Sequence, residues 1–266
     1  MGNKNPCVLY LSHGGGPLPL LGDPGHSQMV ENLEYLSSTI KKPSAIIVIS
    51  AHWEEEIPTI TSAEKPSLIY DYYGFPEASY LIEYPCPGEP MLAKQIQELF
   101  NKSGIESRLD EQRGFDHGLF VPLKIMVPDA DIPCVQISLV KGLDPADHIK
   151  IGSALSGIND DGLLIIGSGF SFHNMRAFFE PETIDSKAMN EAFEQWLIDT
   201  CSNPDMDESE RTGRLENWEK APHARYCHPR EEHLLPLHVC YGVAGTSCSE
   251  YVELKILNKK SSMYLW

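Results

Sequence analysis

Three histidines stand where short apolar segments end: His13 in Ser12-His13-Gly14-Gly15-Gly16-Pro17, His52 in Ser50-Ala51-His52-Trp53-Glu54, and His173 beyond Ile166-Gly167-Ser168-Gly169. A fourth, His233, lies in Glu231-Glu232-His233-Leu234-Leu235-Pro236-Leu237. Neutral imidazole is the commonest protein ligand for first-row metals, and a catalytic site needs about three protein ligands and an open position. His13, His52 and His233 fit that requirement. Each taken alone reads more simply as a hydrogen-bonded residue at a strand end. Two of them at equivalent strand ends of one β-α-β unit favour the metal reading.

The loop after the third segment offers a different chemistry. Gly167-Ser168-Gly169-Phe170-Ser171 is not a nucleophile elbow, which needs Ser where Gly169 stands, nor a dinucleotide fingerprint, which needs Gly or Ala where Phe172 stands. It can carry His173 across the rim, where an unligated imidazole acts as acid and base near neutral pH. His117, after the turn-like Arg113-Gly114-Phe115, has Asp116 beside it as the carboxylate that would orient its ring. Without the other histidines it would be an ordinary loop residue. Gly14-Gly15-Gly16 either leaves room for a ligand or makes a tight turn, and no Gly-Lys-Ser/Thr follows to make a Walker A loop.

His223, His228, His233 and His238 recur every five residues, a spacing that matches neither one helix face nor one strand face. They therefore cannot all be ligands on one regular element. Pro236 starts or kinks a helix, so His233 falls at its entrance, where a loop-borne ligand can face a sheet rim. His238 lies in an apolar run and reads as buried structure. Nothing beyond its residue type supports His223.

These residues need a scaffold that brings distant segments together. Cys7–Ser12 and residues 45–50 are continuous Val/Ile/Leu-rich runs, the mark of parallel strands buried on both faces. Between them Met29, Leu33, Leu36 and Ile40 recur at helical spacing up to the stop at Lys41-Lys42-Pro43. A second helix opens at Pro90, with Leu92, Ile96 and Leu99 on its buried face, and ends near Gly104. Further strands are expected at 134–139 and 163–166, with a helix over 146–158 between them. Ser186 is expected to cap a helix carrying Met189, Phe193, Trp196 and Leu197. The alternation predicts an α/β fold, with a mostly parallel or mixed central sheet flanked by helices and the metal site at the carboxyl-end rim of the strands.

Two stretches break this pattern. Residues 63–88, crowded with Tyr70, Tyr72, Tyr73, Phe75, Tyr80 and Tyr84, have no clean period and read as a long ordered excursion over the catalytic rim. Residues 203–221, rich in Asp and Glu, read as polar and mobile or as a solvated helix.

Composition narrows the class of partner. The 38 acidic against 21 basic residues, a net charge of −17, disfavour nucleic acid, which needs clustered Lys and Arg. Arg113, Arg225 and Arg230 could assist a substrate carboxylate but read more simply as surface residues. No run of about 18 apolar residues exists to span a bilayer. Seven cysteines form no C-x-x-C pair and an odd set, which predicts reduced thiols and a cytoplasmic setting. The start, Met1-Gly2-Asn3-Lys4-Asn5-Pro6, fits neither a signal peptide nor a myristoylation pattern. One catalytic domain over residues 1–266, working as a monomer or homodimer, is the expected organisation.

Six segments in order carry a resemblance: Ser12-His13-Gly14 with Pro17; Ser50-Ala51-His52-Trp53-Glu54; Tyr72-Tyr73-Gly74-Phe75-Pro76; Gly114-Phe115-Asp116-His117-Gly118; Gly167-Ser168-Gly169 with His173-Asn174; and His228-Pro229 with Glu232-His233-Leu234-Leu235-Pro236-Leu237. Each is weak alone, but together, over nearly the whole chain, they resemble the class III extradiol ring-cleavage dioxygenase superfamily in its DOPA 4,5-dioxygenase-like branch. The resemblance implies His13, His52 and His233 as metal ligands, His173 as acid/base residue and His117 as a pocket residue contacting the substrate hydroxyl or oxygen. It matches His228 without giving it a role. It implies Fe(II) for catalysis, with Zn(II) also able to occupy the site and His173 then able to approach as a further ligand. The substrates would be a small aromatic diol of catechol type and O2. Phe170 and Phe172 depart from the family pattern and would make the pocket more apolar.

Two other functions compete. A zinc-dependent hydrolase on the same histidines would need no O2, and a non-catalytic relative would bind metal without turnover. Extra imidazoles at His117 and His173 count against the last, because a purely structural site has no use for them.

Overall fold

The structure is a computed structural model describing residues 6–158 and 160–266, so residues 1–5, on which the expectation of neither a signal peptide nor a myristoylation site mainly rests, lie outside the described residues. In chain order the elements are β1 (Cys7–Ser12), α1 (Ser27–Thr39), β2 (Ala45–Glu55), β3 (Thr59–Thr61), α2 (Pro90–Lys102), β4 (Arg108–Asp110), α3 (His117–Met126), β5 (Cys134–Val140) and α4 (Pro145–Leu155). They continue with β6 (Leu163–Gly169), α5 (Met175–Phe179), α6 (Ile184–Ser202), α7 (Glu208–Glu216), α8 (Ala224–Cys227), α9 (Leu235–Ala244), β7 (Glu250–Ile256) and β8 (Lys259–Leu265).

The strands form one mixed sheet in the order β4-β3-β5-β2-β6-β1-β8-β7. Its centre is parallel: β5, β2, β6 and β1 run side by side in one direction. These are the Val/Ile/Leu runs, and their residues are buried because helices cover both faces. Neighbouring positions on β6 show the two faces. A Cβ on Gly167 would meet Pro236 and Cys240 of α9. The next residue, Ser168, reaches Gly118 of α3 on the other side. The α/β class and the mixed central sheet expected from the sequence are what the structure has.

Several local expectations are corrected. The strand expected over 45–50 continues to Glu55, through a shift of register between Ser50 and Glu54. The cap of α6 is Thr183, not Ser186; the Ser186 side chain returns the bond to the Thr183 amide, closing a capping box. Residues 203–221 are not a loose acidic segment. Arg211 of α7 is fully buried, and its guanidinium donates to the carbonyls of Thr200, Asn203 and Met206, while Trp218 is also buried. A charge can be buried this way because its N–H groups find carbonyl partners at and just beyond the end of α6 and a carboxylate partner in Glu208, 3.1 Å from Nε.

The aperiodic segment 63–88 is tied at both ends. The Gly88 amide donates to Glu64 O at 2.9 Å, and around Leu68 the Ile69 amide donates to Phe115 O and the Phe115 amide to Ser67 O, each at 2.8 Å. Inside it, the Tyr72 hydroxyl donates to Ser79 O at 2.6 Å and the Tyr70 hydroxyl to Ile82 O at 2.7 Å. Aromatic rings with anchored hydroxyls, and a short 3-10 helix over Glu77–Leu81, hold this loop in place.

Candidate metal centre

His13 follows β1 directly, its amide donating to Gly169 O at the end of neighbouring β6 at 3.1 Å. The chain then turns through Gly14 at φ +81°, where a Cβ would stand 2.8 Å from the rings of His26 and Pro19. At this position the glycine run is a tight turn. His52 sits in the irregular part of β2, and such a bulge re-aims a side chain out of the ladder. His233 comes from the loop before α9. Its carbonyl accepts from the Phe170 amide at 2.9 Å and the Tyr10 hydroxyl at 3.0 Å. A Cβ on Gly169 would lie 2.1 Å from that oxygen, so only glycine lets the loop close on the rim.

The three imidazoles converge, each offering one ligand nitrogen, with all three atoms inside 4.8 Å of one another. Their Nδ1 atoms are turned elsewhere. Ser168 gives its hydroxyl proton to Gly118 O at 2.5 Å, so it can only accept from His13 Nδ1, 3.1 Å away. His233 Nδ1 donates to Glu232 Oε1 at 2.9 Å, and His52 Nδ1 faces Asp71 Oδ2 at 3.6 Å. With the proton of each ring at Nδ1, each Nε2 keeps a lone pair. His13 Nε2 and His52 Nε2 lie only 2.9 Å apart, so in that form their lone pairs oppose each other and a cation between them would relieve the opposition. The donor set therefore fits a first-row metal.

Electrostatics keep these ligands neutral. Burial, followed by the neighbouring imidazoles, pushes His13 and His52 well below the usual histidine range. Burial and His173 lower His233 to about 3, against the opposing pull of Glu232. Neutral imidazole is the form that binds metal.

Two further histidines flank the three. His117 is the first residue of α3, its ring 3.9 Å from that of His52, and its Nδ1 donates to Asp71 Oδ1 at 2.8 Å. The ring of His173 stacks on His233 with centroids 3.4 Å apart, and its Nδ1 lies 3.1 Å from Glu232 Oε1. Burial opposes ionisation of Glu232, but bonds from His173 and His233 outweigh it and hold the carboxyl well below the usual range. Asp71 is lowered too, burial again being overcome by His117. Carboxylate–histidine groupings also occur around His52, Asp71 and His117 and around His173, Glu232 and His233. In both, the carboxylate meets Nδ1 atoms, so these are the hydrogen-bonded surroundings of one centre.

The structure thus brings His13, His52, His233, His117 and His173 together. It assigns the orienting carboxylates differently from the sequence reading. Asp116 does not touch the His117 ring: it is buried, accepts from Ser50 Oγ at 2.8 Å and from Gln136, and pairs with Arg113 at 3.2 Å. Consecutive side chains entering a helix diverge, so adjacency in sequence misleads here. Asp71 and Glu232 do that work. Glu232 could have been found as an acid next to a candidate ligand; Asp71, in an aperiodic segment, gave no such signal.

His228 is buried between Phe193 and Trp218, with Nε2 donating to Ser171 O at 2.7 Å, and so braces the His173 loop without reaching the centre. His238 bonds the carbonyls of Leu234 and Leu215 inside the protein, and His223 takes a left-handed conformation before α8. Phe170 and Phe172 pack on Phe178, buried in the core, and do not make a pocket more apolar. Arg225 and Arg230 are exposed ion-paired residues, Arg230 clasping Glu54 with both nitrogens. Arg113, against expectation, is largely buried, lying over the Trp53 ring at 4.5 Å.

Comparison with known proteins adds to this geometry. Residues 8–264 match the family described as the catalytic LigB subunit of aromatic ring-opening dioxygenase. A dioxygenase of Hapsidospora irregularis, TasH, is 40% identical over 257 residues, covering 89% of this chain and 78% of its own. The 4,5-DOPA dioxygenase extradiol of Beta vulgaris is 41% identical over 242 residues, covering 90% and 87%. Among solved structures, an uncharacterized protein of Escherichia coli K12 superposes with a TM-score of 0.75 at 27% identity, covering 98% of this chain and 99% of that one.

Proposed function

The chain belongs to the family of the catalytic LigB subunit of aromatic ring-opening dioxygenases, and from that premise we propose that it opens a catechol-type ring beside its diol with O2. The metal would be Fe(II), held by His13, His52 and His233, with residues 1–266 acting as one catalytic unit. The observation that carries this reading is the convergence of three neutral imidazoles, flanked by two more that are each paired to a carboxylate. When bound, the metal supplies a Lewis-acidic, redox-active point at which diol and O2 meet.

The protein's own groups manage protons and shape. His173 holds its Nδ1 proton on Glu232, so its Nε2 is free to take a proton from a catechol hydroxyl, and the carboxylate stabilises the imidazolium that forms. At 19% exposure the His173 side chain lies where proton exchange with solvent is open. His117, buried, presents Nε2 as a fixed acceptor toward a hydroxyl or oxygen. Tyr72 packs edge-on against His117 at 5.7 Å and, with its hydroxyl committed to Ser79, walls the site with an immobile ring. DOPA and related catechols are the substrates to try first, on the strength of the Beta vulgaris relative. The cytoplasm is the proposed setting, in keeping with the free thiols.

The test is O2 uptake by anaerobically Fe(II)-reconstituted protein given a catechol panel that includes DOPA, with visible absorbance followed in parallel. Uptake matched by a yellow ring-opened product supports the reading. An iron-filled site that consumes no O2 with any catechol would transfer it to zinc-dependent hydrolysis or non-catalytic metal binding.

A further inference from the structure

Asp71 lies in the segment 63–88, far from any ligand in sequence, yet its carboxylate reaches two histidines of the centre. Oδ1 accepts from His117 twice, from the amide at 3.1 Å and from Nδ1 at 2.8 Å. Oδ2 faces His52 Nδ1 at 3.6 Å. An ionised carboxylate can only accept, so His117 must carry its proton at Nδ1 to bond it, while His52 turns its Nδ1 toward the second oxygen without a hydrogen bond, the orientation in which the negative charge favours Nδ1–H. We propose that Asp71 is a positioning residue that sets the Nδ1–H tautomer and ring orientation of His117 and, through its second oxygen, those of His52.

The reasoning rests on what each ring would do otherwise. α3 fixes the His117 backbone but not the choice of protonated nitrogen, and free neutral imidazole favours Nε2–H. In that form His117 would present a donor to the site instead of an acceptor. His52 protonated at Nε2 would have no lone pair to give the centre. Asp71 removes the first alternative by a hydrogen bond and disfavours the second by its charge, with one side chain. The segment 63–88 is then a working part of the site as well as a wall over it. Tyr72, the next residue, packs on the His117 ring and is anchored through Ser79, so the loop that delivers the carboxylate is itself held.

The consequence for turnover rests on the extradiol reading above; the tautomer does not. The experiment uses the full chain as wild type, Asp71→Ala and Asp71→Asn. It combines ¹⁵N NMR of the imidazoles in the Zn(II)-loaded protein, Zn(II) affinity by competition with a chromogenic chelator, and steady-state kinetics of the Fe(II)-loaded protein. In wild type, His117 is protonated at Nδ1. Asp71→Asn keeps that tautomer, because the amide oxygen still accepts, but weakens metal binding, because its NH2 now faces His52. Asp71→Ala moves His117 to Nε2–H, lowers metal affinity roughly 10–100-fold, as loss of an outer-shell partner does, and lowers kcat more than it raises KM.

His117 remaining at Nδ1–H in Asp71→Ala, or metal affinity unchanged in both variants, overturns the proposal. Should Asp71→Ala fail to fold, Asp71→Asn decides alone: unchanged affinity counts against the positioning of His52. A tautomer shift in a protein that turns over no catechol would uphold the positioning role while removing the proposed reaction, so the two failures are distinct.

Discussion

On one side of the three candidate ligands, His117 packs on His52 and the two face a single carboxylate, Asp71; on the other, His173 packs on His233 and the two face Glu232. The differences between these sides are instructive. Glu232 is the immediate neighbour of a ligand, so its pairing is nearly inherent in the loop. Asp71 arrives from a separate segment and must be held there by tyrosine anchors. The His173 ring lies almost parallel to its ligand, at 19°, and keeps an exposed edge, whereas His117 is tilted 48° and buried. The part-exposed His173 ring would suit proton exchange, and the buried His117 ring a fixed hydrogen-bond acceptor. Two similar constructions would therefore serve different roles because the flanking ring touches solvent on one side and is buried on the other.

The comparison predicts an order of damage. His13→Ala removes a ligand common to both sides and should abolish tight metal binding and turnover, checked by metal content after dialysis. His173→Ala should retain metal and lose roughly a hundredfold or more in kcat; full activity in that variant would remove the acid/base role. His117→Ala should also retain metal and lose less, about 10–100-fold, the worth of one strong hydrogen bond to a reacting group. Equal losses in these two variants would erase the distinction between the sides.

Much of this site could be read before the structure was known. His13 and His52 were legible because buried parallel strands are continuous apolar runs and the rim begins where the run stops. His233 was legible from a motif and from Pro236. Asp71 was not, since no periodicity relates residues 63–88 to α3, and the choice of Asp116 failed because neighbours in sequence point apart at a helix entrance. The four central strands were readable for the same reason as the ligands. β3 and β4, three residues each, are too short to show a period. The hairpin of β7 and β8 has a legible signal in the alternation of Glu250–Ile256, whose outward Glu253 and Lys255 are the charges an edge strand carries.

The fully buried carboxyl of Glu194 sharpens the contrast through a smaller effect. Glu194 of α6 has hydroxyls for neighbours, Ser262 at 2.6 Å and through it Tyr264, and no imidazole. Burial pushes it up to about 7, against the downward pull of Ser262 and Ser171, the reverse of Asp71 and Glu232. The native state therefore holds a proton there that the unfolded chain releases near the ordinary glutamate pKa. Stability from this group is present below that ordinary value and is lost as pH rises through about 7. Glu194→Gln should lack this loss, so its unfolding free energy, measured by denaturant titration, should gain on wild type from pH 5 to pH 8 by on the order of 2 kcal/mol. A constant difference across that range would show that the carboxyl is not protonated in the native state.

The most direct test of the central claim is anomalous diffraction at the iron edge from crystals loaded anaerobically with Fe(II) and soaked with a catechol. The account predicts one iron peak coordinated by Nε2 of His13, His52 and His233, the catechol oxygens on the same ion, and Asp71 and Glu232 still on Nδ1 atoms. Iron bound instead by Asp71 with His117, or by Glu232 with His173, would contradict it.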